Sequence, residues 1–362
     1  MAEYRLMKGN EVIAEAAIRC GCDGYFGYPI TPQSEIMETL MLRKPWEETG
    51  MVVLQAESEV AAINMVYGGA GCGKKVMTSS SSPGISLKME GITYIAGAEL
   101  PCLVVNVVRG GPGLGTIQPA QSDYFQAVKG GGHGDYHLVV LAPASVQEMN
   151  DFVDLGFELA FKYRNPVMIL TDGVIGQMME KVKLSDYKPR WTDAEIKKIS
   201  GTWATTGKTA DRDYHTITSL ELDSSRQEIF NHKLVEKYKT IAEKEVRYET
   251  FNCEDAEYIL VAYGSSSRIC QKAVTLCREK GLKVGLLRPI TLYPYPTKII
   301  QDMATRVKGF LAVEMSAGQM VEDVKLAVNG KVPVEHFGRF GGMIPTPNEV
   351  VKALEEKIIN AK

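Results

Sequence analysis

No Cys-x-x-Cys pair occurs in the 362 residues, although seven cysteines lie at 20, 22, 72, 102, 253, 270 and 277. A zinc site or a local iron–sulfur cluster therefore lacks its usual ligand spacing. An odd, dispersed set of thiols is expected in a reduced, cytoplasmic setting. No apolar run approaches the roughly 20 residues that a membrane span needs. Met1–Gly9 has no apolar core behind a basic start, so no secretory signal is expected either. Charge of one sign is also missing. With 41 basic against 44 acidic residues and a formal charge of −3, the chain has no electrostatic footprint for nucleic acid. What remains, 45% hydrophobic and 23% charged residues, is an ordinary globular composition at a length that suits two domains.

The first half alternates strand and helix signals. Apolar, β-branched runs at Met51–Leu54, Val76–Met77, Leu103–Val108, Leu138–Leu141 and Val167–Leu170 enclose helical patterns at Glu59–Tyr67, Ile85–Ala96 and Val146–Tyr163. Continuous apolar strands separated by helices predict a doubly wound parallel sheet. After Asp186 the pattern breaks. Residues 187–252 are polar and end in a charged helical stretch, His232–Val246, which reads as a connecting arm. Alternation resumes at Tyr258–Tyr263 and runs to a last helix near Asn348–Ile359, predicting a smaller α/β domain over 253–362.

Three motif-like stretches are weighed and set aside. Gly68–Lys74 imitates a phosphate loop, but Lys75 stands where a magnesium-binding hydroxyl belongs and the glycines precede a strand. Close packing of a helix end onto the sheet accounts for them better. His133 and His137 with Asp135 offer metal ligands, yet three glycines (130–132) precede them where a helix would be needed. Gly111-Pro112-Gly113-Leu114-Gly115 misses the dinucleotide fingerprint because its third glycine comes one residue early.

Three stretches remain, at places where a doubly wound sheet puts its ligands, the carboxyl ends of strands. Tyr28-Pro29-Ile30-Thr31-Pro32 is a rigid turn in which Thr31 reads as a helix cap that also faces the crevice. Gln55-Ala56-Glu57-Ser58-Glu59 leads from a strand into a nearly all-apolar helix. That places Glu59 toward a low-dielectric interior, where a carboxylate can reach proton-transfer range, and Glu57 lies two positions away. Arg109 ends an apolar strand, poorly placed for packing and well placed to hold an anion, with an interface salt bridge as the alternative. The residues by themselves describe a crevice with a buried acid, a hydroxyl and an anion clamp.

At these residues, and at Thr171-Asp172-Gly173, the chain resembles the α subunit of the 2-oxoacid:ferredoxin oxidoreductases over nearly its whole length. Leu282–Thr291, Gly338–Pro347 and the arm, with Ser219–Asp223 and Lys233–Tyr248, look most like the branched-chain, 2-oxoisovalerate member. The resemblance implies a pyrimidine-type thiamine-diphosphate domain (1–186), the arm (187–252) and a domain of the transketolase carboxyl-terminal type (253–362). It implies that Glu59 hydrogen-bonds the cofactor's aminopyrimidine, that Thr31 and Arg109 face the substrate, and that Pro29, Ile30, Ser81 and Ser82 line the cofactor. The usual magnesium-diphosphate motif and the cluster ligands are absent. The resemblance therefore places Mg2+ and the iron–sulfur clusters in a partner β subunit and a small ferredoxin-like subunit, beside a γ subunit, with ferredoxin as acceptor and coenzyme A as acyl acceptor. The alternatives are the same chemistry on 2-oxoglutarate or pyruvate, where Lys88 or Lys129 is a spare cation for a second carboxylate, and a non-catalytic assembly subunit.

Overall fold

A computed structural model describes residues 3–360; Met1, Ala2, Ala361 and Lys362, which the expected outer domain limits and the signal reading include, lie outside the described residues. The strands are β1 (Tyr4–Lys8), β2 (Gly24–Gly27), β3 (Val52–Gln55), β4 (Val76–Ser80), β5 (Cys102–Val108), β6 (Val139–Leu141), β7 (Pro166–Asp172), β8 (Met179–Lys183), β9 (Tyr248–Phe251), β10 (Tyr258–Val261), β11 (Val284–Pro289), β12 (Thr291–Tyr293), β13 (Gly309–Glu314) and β14 (Val334–Gly338). Seven form a sheet in the order β12-β6-β7-β5-β4-β2-β3, parallel except for β12. Five form a second sheet, β14-β13-β10-β11-β9, parallel except for β9.

The side-chain alternation of β5 shows why the first sheet is covered on both sides. Leu103, Val105 and Val107 enter one apolar cluster, with the helix Gly9–Arg19 and the helix Val146–Tyr163. Val104 and Val108 enter another, with the helices Glu59–Gly71 and Pro83–Gly97. Successive strand residues point to opposite faces, so a strand that is apolar throughout needs both faces packed. The second of these clusters continues into Ile259, Val261, Phe310 and Ala312 of the smaller sheet. The two sheets thus share one core.

Several features differ from the sequence-based expectation. The helix Gly9–Arg19 and the antiparallel pair β1–β8 were not expected, because Met1–Gly9 reads as polar. Strand β9, inside the stretch read as arm, pairs with β11, and β12, inside the second region, crosses to pair with β6. Each covers an edge that would otherwise present unpaired backbone groups. The charged helix begins eight residues earlier than expected, at Ser224, and buries Leu234, Tyr238 and Ile241 against the first sheet's helices. Thr31 is not a helix cap: the helix Ser34–Arg43 has Gln33 at that position, with no side-chain capping bond.

Candidate active site

Four loops meet at the carboxyl ends of β2, β3, β4 and β5. After β3, the amide of Ala56 donates to the carbonyl of Gly27 at 2.9 Å, drawing the next helix onto β2. Ser58 caps that helix, its Oγ accepting from the Ala61 amide at 3.2 Å. Glu59 occupies the first turn, where the helix dipole favours a carboxylate. It is 7% exposed. Glu57 is exposed, and its Oε1 accepts from the Ser58 hydroxyl at 2.9 Å. Glu59 is thus buried, as the apolar helix behind it in the sequence predicts, and Glu57 is not.

Strand β4 ends in Ser80, and Ser81 and Ser82 lead to Pro83, the first residue of the helix Pro83–Gly97. Gly84 approaches Glu59 so closely that a Cβ there would lie 2.8 Å from Glu59 Oε1 and 2.1 Å from Ser80 Oγ. The Oγ atoms of Ser80 and Ser81 are buried without a hydrogen-bond partner among the described residues. Ser82 holds a strained backbone, φ 27°. Its Oγ accepts from the Arg109 amide at 3.1 Å and donates to the Arg109 carbonyl at 3.2 Å. The Ser82 amide donates to Asn106 Oδ1 at 3.2 Å, and Asn106 donates in turn to Asp123 at 2.9 Å. Burial pushes the Asp123 carboxyl above the usual range, against the hydrogen bond from Asn106.

Arg109 joins this loop to the first turn. Its Nη1 donates to the Thr31 carbonyl at 2.9 Å and its Nη2 to the Leu114 carbonyl at 3.1 Å. The guanidinium has no carboxylate partner among the described residues, and its buried Nε has no acceptor. A buried cation with a free donor suits an anionic ligand better than an internal salt bridge. Thr31 and Pro29 are exposed, and Ile30 is half-buried. The turn they form is anchored from behind by Asn10 and Gln177, which donate to the Pro32 carbonyl at 2.7 and 3.2 Å. Gly115, at φ +57°, closes the loop after Arg109, and a Cβ there would meet the Gly110 carbonyl oxygen at 1.8 Å. Asp172, at the end of β7, is engaged elsewhere, accepting from Ser265 Oγ at 2.5 Å and from the Val174 amide at 2.8 Å.

The stretches set aside on sequence grounds find local partners. His137 stacks on Tyr293, with centroids 4.1 Å apart, while His133 meets Tyr94 edge-on, so the two imidazoles go separate ways. Gly69 lies where a Cβ would sit 2.8 Å from Val76, as a helix end pressed onto the sheet requires. Lys129 pairs with Asp323 of the second domain. Lys88, by contrast, is fully buried, with Nζ 3.4 Å from the Glu59 carbonyl oxygen. Asn106 and Asp123 were missed, and the available signal was one amide in an otherwise apolar strand.

The family profile described as pyruvate flavodoxin/ferredoxin oxidoreductase, thiamine diP-binding, matches residues 15–243. The profile of pyruvate:ferredoxin oxidoreductase core domain II matches residues 256–350. The ketoisovalerate oxidoreductase subunit VorB of Methanothermobacter marburgensis is 49% identical, over 97% of this chain and 97% of its own. The 2-oxoglutarate synthase subunit KorA of Methanocaldococcus jannaschii is 35% identical, over 97% and 99%. The solved 2-oxoglutarate:ferredoxin oxidoreductase of Magnetococcus marinus, with 2-oxoglutarate, coenzyme A and succinyl-CoA bound, superposes with a TM-score of 0.85 at 26% identity. That match covers 98% of this chain, and this chain spans 65% of the other. By the two profiles and by identity along its length, the chain belongs to the 2-oxoacid:ferredoxin oxidoreductase family.

Proposed function

We propose that the chain supplies the pyrimidine side of a thiamine-diphosphate site in a complex that converts 2-oxoisovalerate and coenzyme A to an acyl-CoA, carbon dioxide and reduced ferredoxin. The observation that carries this reading is the buried Glu59 carboxylate against Gly84, beside two hydroxyls and one guanidinium donor that have no partner among the described residues. Bound there, thiamine diphosphate supplies the electron sink for loss of carbon dioxide from a 2-oxoacid. Glu59 holds a hydrogen bond, and at need a proton, at a ring nitrogen of the aminopyrimidine. Pro29, Ile30, Ser81 and Ser82 line the cofactor. Arg109 binds the substrate carboxylate through its free Nε, and the Thr31 hydroxyl faces the substrate.

Magnesium, the diphosphate contacts and the iron–sulfur clusters belong, in this reading, to a β subunit and a ferredoxin-like subunit of a cytoplasmic complex that also holds a γ subunit. Exposed apolar residues on the edge strand β3 and the two helices of the site, Val52, Leu54, Val60 and Leu87, are consistent with a subunit seated there. The branched-chain substrate is supported by the greater identity to the ketoisovalerate subunit than to the 2-oxoglutarate one. The absence of an obvious second cation beside Arg109 among the described residues points the same way: Lys129 is paired elsewhere and Lys88 faces Glu59.

The test is viologen reduction by the assembled complex with coenzyme A and each of 2-oxoisovalerate, 2-oxoglutarate and pyruvate. The rate is expected to be highest on 2-oxoisovalerate, and equal rates on 2-oxoglutarate would remove the substrate assignment. Glu59→Gln is expected to lower the rate about 10²- to 10³-fold. Full activity in that variant would leave a non-catalytic assembly role for this chain.

A further inference from the structure

The least expected side chain in the molecule is Lys88. It lies on the helix Pro83–Gly97, one turn after Gly84, and is 0% exposed. Lysines are almost never fully buried unless paired. Yet no carboxylate lies within ion-pair reach of its Nζ among the described residues, and its one hydrogen bond is the 3.4 Å contact to the Glu59 carbonyl oxygen. Ile85, Met89 and Ile92 of the same helix are buried apolar residues. A methionine at position 88 would fill similar space without the desolvation cost of an ammonium. Packing therefore accounts for the stem and leaves the charge unexplained.

The charged surroundings are sparse. The facing helix carries Glu59 and Tyr67. On the helix of Lys88 itself, Glu90 accepts from the Tyr94 hydroxyl at 2.6 Å. Asp172 on β7 is held by Ser265. Of these, only the charge of Glu59 acts on Lys88.

We propose that Lys88 is a positioning residue for Glu59: its ammonium fixes the first turn of the Glu59 helix through the Glu59 carbonyl and balances the buried carboxylate while that carboxylate holds the cofactor ring. The inference rests on the thiamine reading above. Burial brings the Lys88 ammonium down to about 8, against the pull of Glu59. The balance is then complete at neutral pH and fades as pH rises through that value.

The experiment is a titration of the assembled, cofactor-stripped complex with thiamine diphosphate and magnesium, followed by intrinsic fluorescence between about pH 7 and 9. Wild-type affinity is expected to decline above pH about 8. Lys88→Met is expected to bind about tenfold more weakly at pH 7 and to lose that decline, since a screened charge pair is worth about one decade. Lys88→Arg, which keeps its charge throughout, is expected to restore affinity with no decline. A wild-type affinity that is flat across this range, or a Lys88→Met complex that titrates like wild type, overturns the inference alone. No binding by the wild-type complex overturns the thiamine reading and this inference with it.

Discussion

At Gly84 a single hydrogen atom separates a working arrangement from a collision. A methyl group there would press on Glu59 Oε1 and on Ser80 Oγ, although alanine favours a helix over glycine by about 1 kcal/mol. The two effects oppose each other and fall on different measurements. Gly84→Ala is expected to leave the melting temperature of the complex within a few degrees of wild type, at about 1 kcal/mol, while lowering the rate by about tenfold or more as the carboxylate is displaced. Glu57→Gln, at an exposed position two residues before Glu59, is expected to leave the rate unchanged. Wild-type turnover in Gly84→Ala would show that the Glu59 carboxylate need not sit where it does. Of the residues nominated from sequence, Thr31, Glu59, Ser82 and Arg109 are linked through hydrogen bonds or contacts of one loop cluster. Sequence placed each at a strand end. It could not show that Arg109 reaches back to Thr31, since that bond joins residues 78 positions apart.

Among elements, the helix Ser224–Lys244 shows how a charged segment becomes part of a core. Its inner face buries Leu234, Tyr238 and Ile241, and its lysines 233 and 237 converge on Glu99, at the turn after the helix Pro83–Gly97. Burial pushes the Glu99 carboxyl up, but the hydrogen bond from Lys233 and the charges of Lys237 and Lys233 outweigh it, and the net shift is downward. A depressed carboxylate contributes stability that is complete above its unfolded value and is lost as pH falls through the folded one. Hydrogen exchange in this helix is therefore expected to quicken below pH about 4. In Glu99→Gln the same quickening is expected at neutral pH, by about 1–3 kcal/mol of local opening, because the half-buried Lys237 loses its partner. Exchange in the variant that matched wild type at pH 7 would locate the hold on this helix in its apolar face alone. The sequence showed a charged helix, but not that it was docked, because its apolar residues are few and their partners lie on distant segments.

For the whole molecule, the two sheets are joined by polar bonds laid across a shared apolar cluster. Gln121 is the centre of this joint. Its Nε2 donates to the Tyr263 carbonyl at 2.9 Å, and its Oε1 accepts from Ser266 Oγ at 2.6 Å and from the Met315 amide at 3.0 Å. Its own amide donates to the Met315 carbonyl at 2.8 Å. Arg288 adds an ion pair from β11 to Glu148 of the helix Val146–Tyr163. Gln121→Leu would keep the volume and leave the Met315 amide and the Ser266 hydroxyl without partners, at about 1–3 kcal/mol each, while the Tyr263 carbonyl keeps the Ser267 amide. Calorimetry is expected to show a melting temperature lower by several degrees, at about 2–4 °C per kcal/mol for a chain of this size, and one transition broadening into two. An unchanged single transition would assign the joint to the apolar cluster alone.

The alternation of apolar runs with helical patterns was sufficient for the fold class, because burial on both faces of a parallel strand writes itself into consecutive residues such as Leu103–Val108. The glycines, serines and single charges at strand ends were likewise what nominated a site there. Tertiary structure alone decided that Gly84 presses on the Glu59 carboxylate, that Lys88 lies beside it, and that β9 and β12 cross the expected boundaries to complete the other sheets' edges. The physical reason is range. Periodicity reports the local environment of a segment, whereas the neighbours of one carboxylate and the pairing of an edge strand depend on segments brought together only by the folded chain.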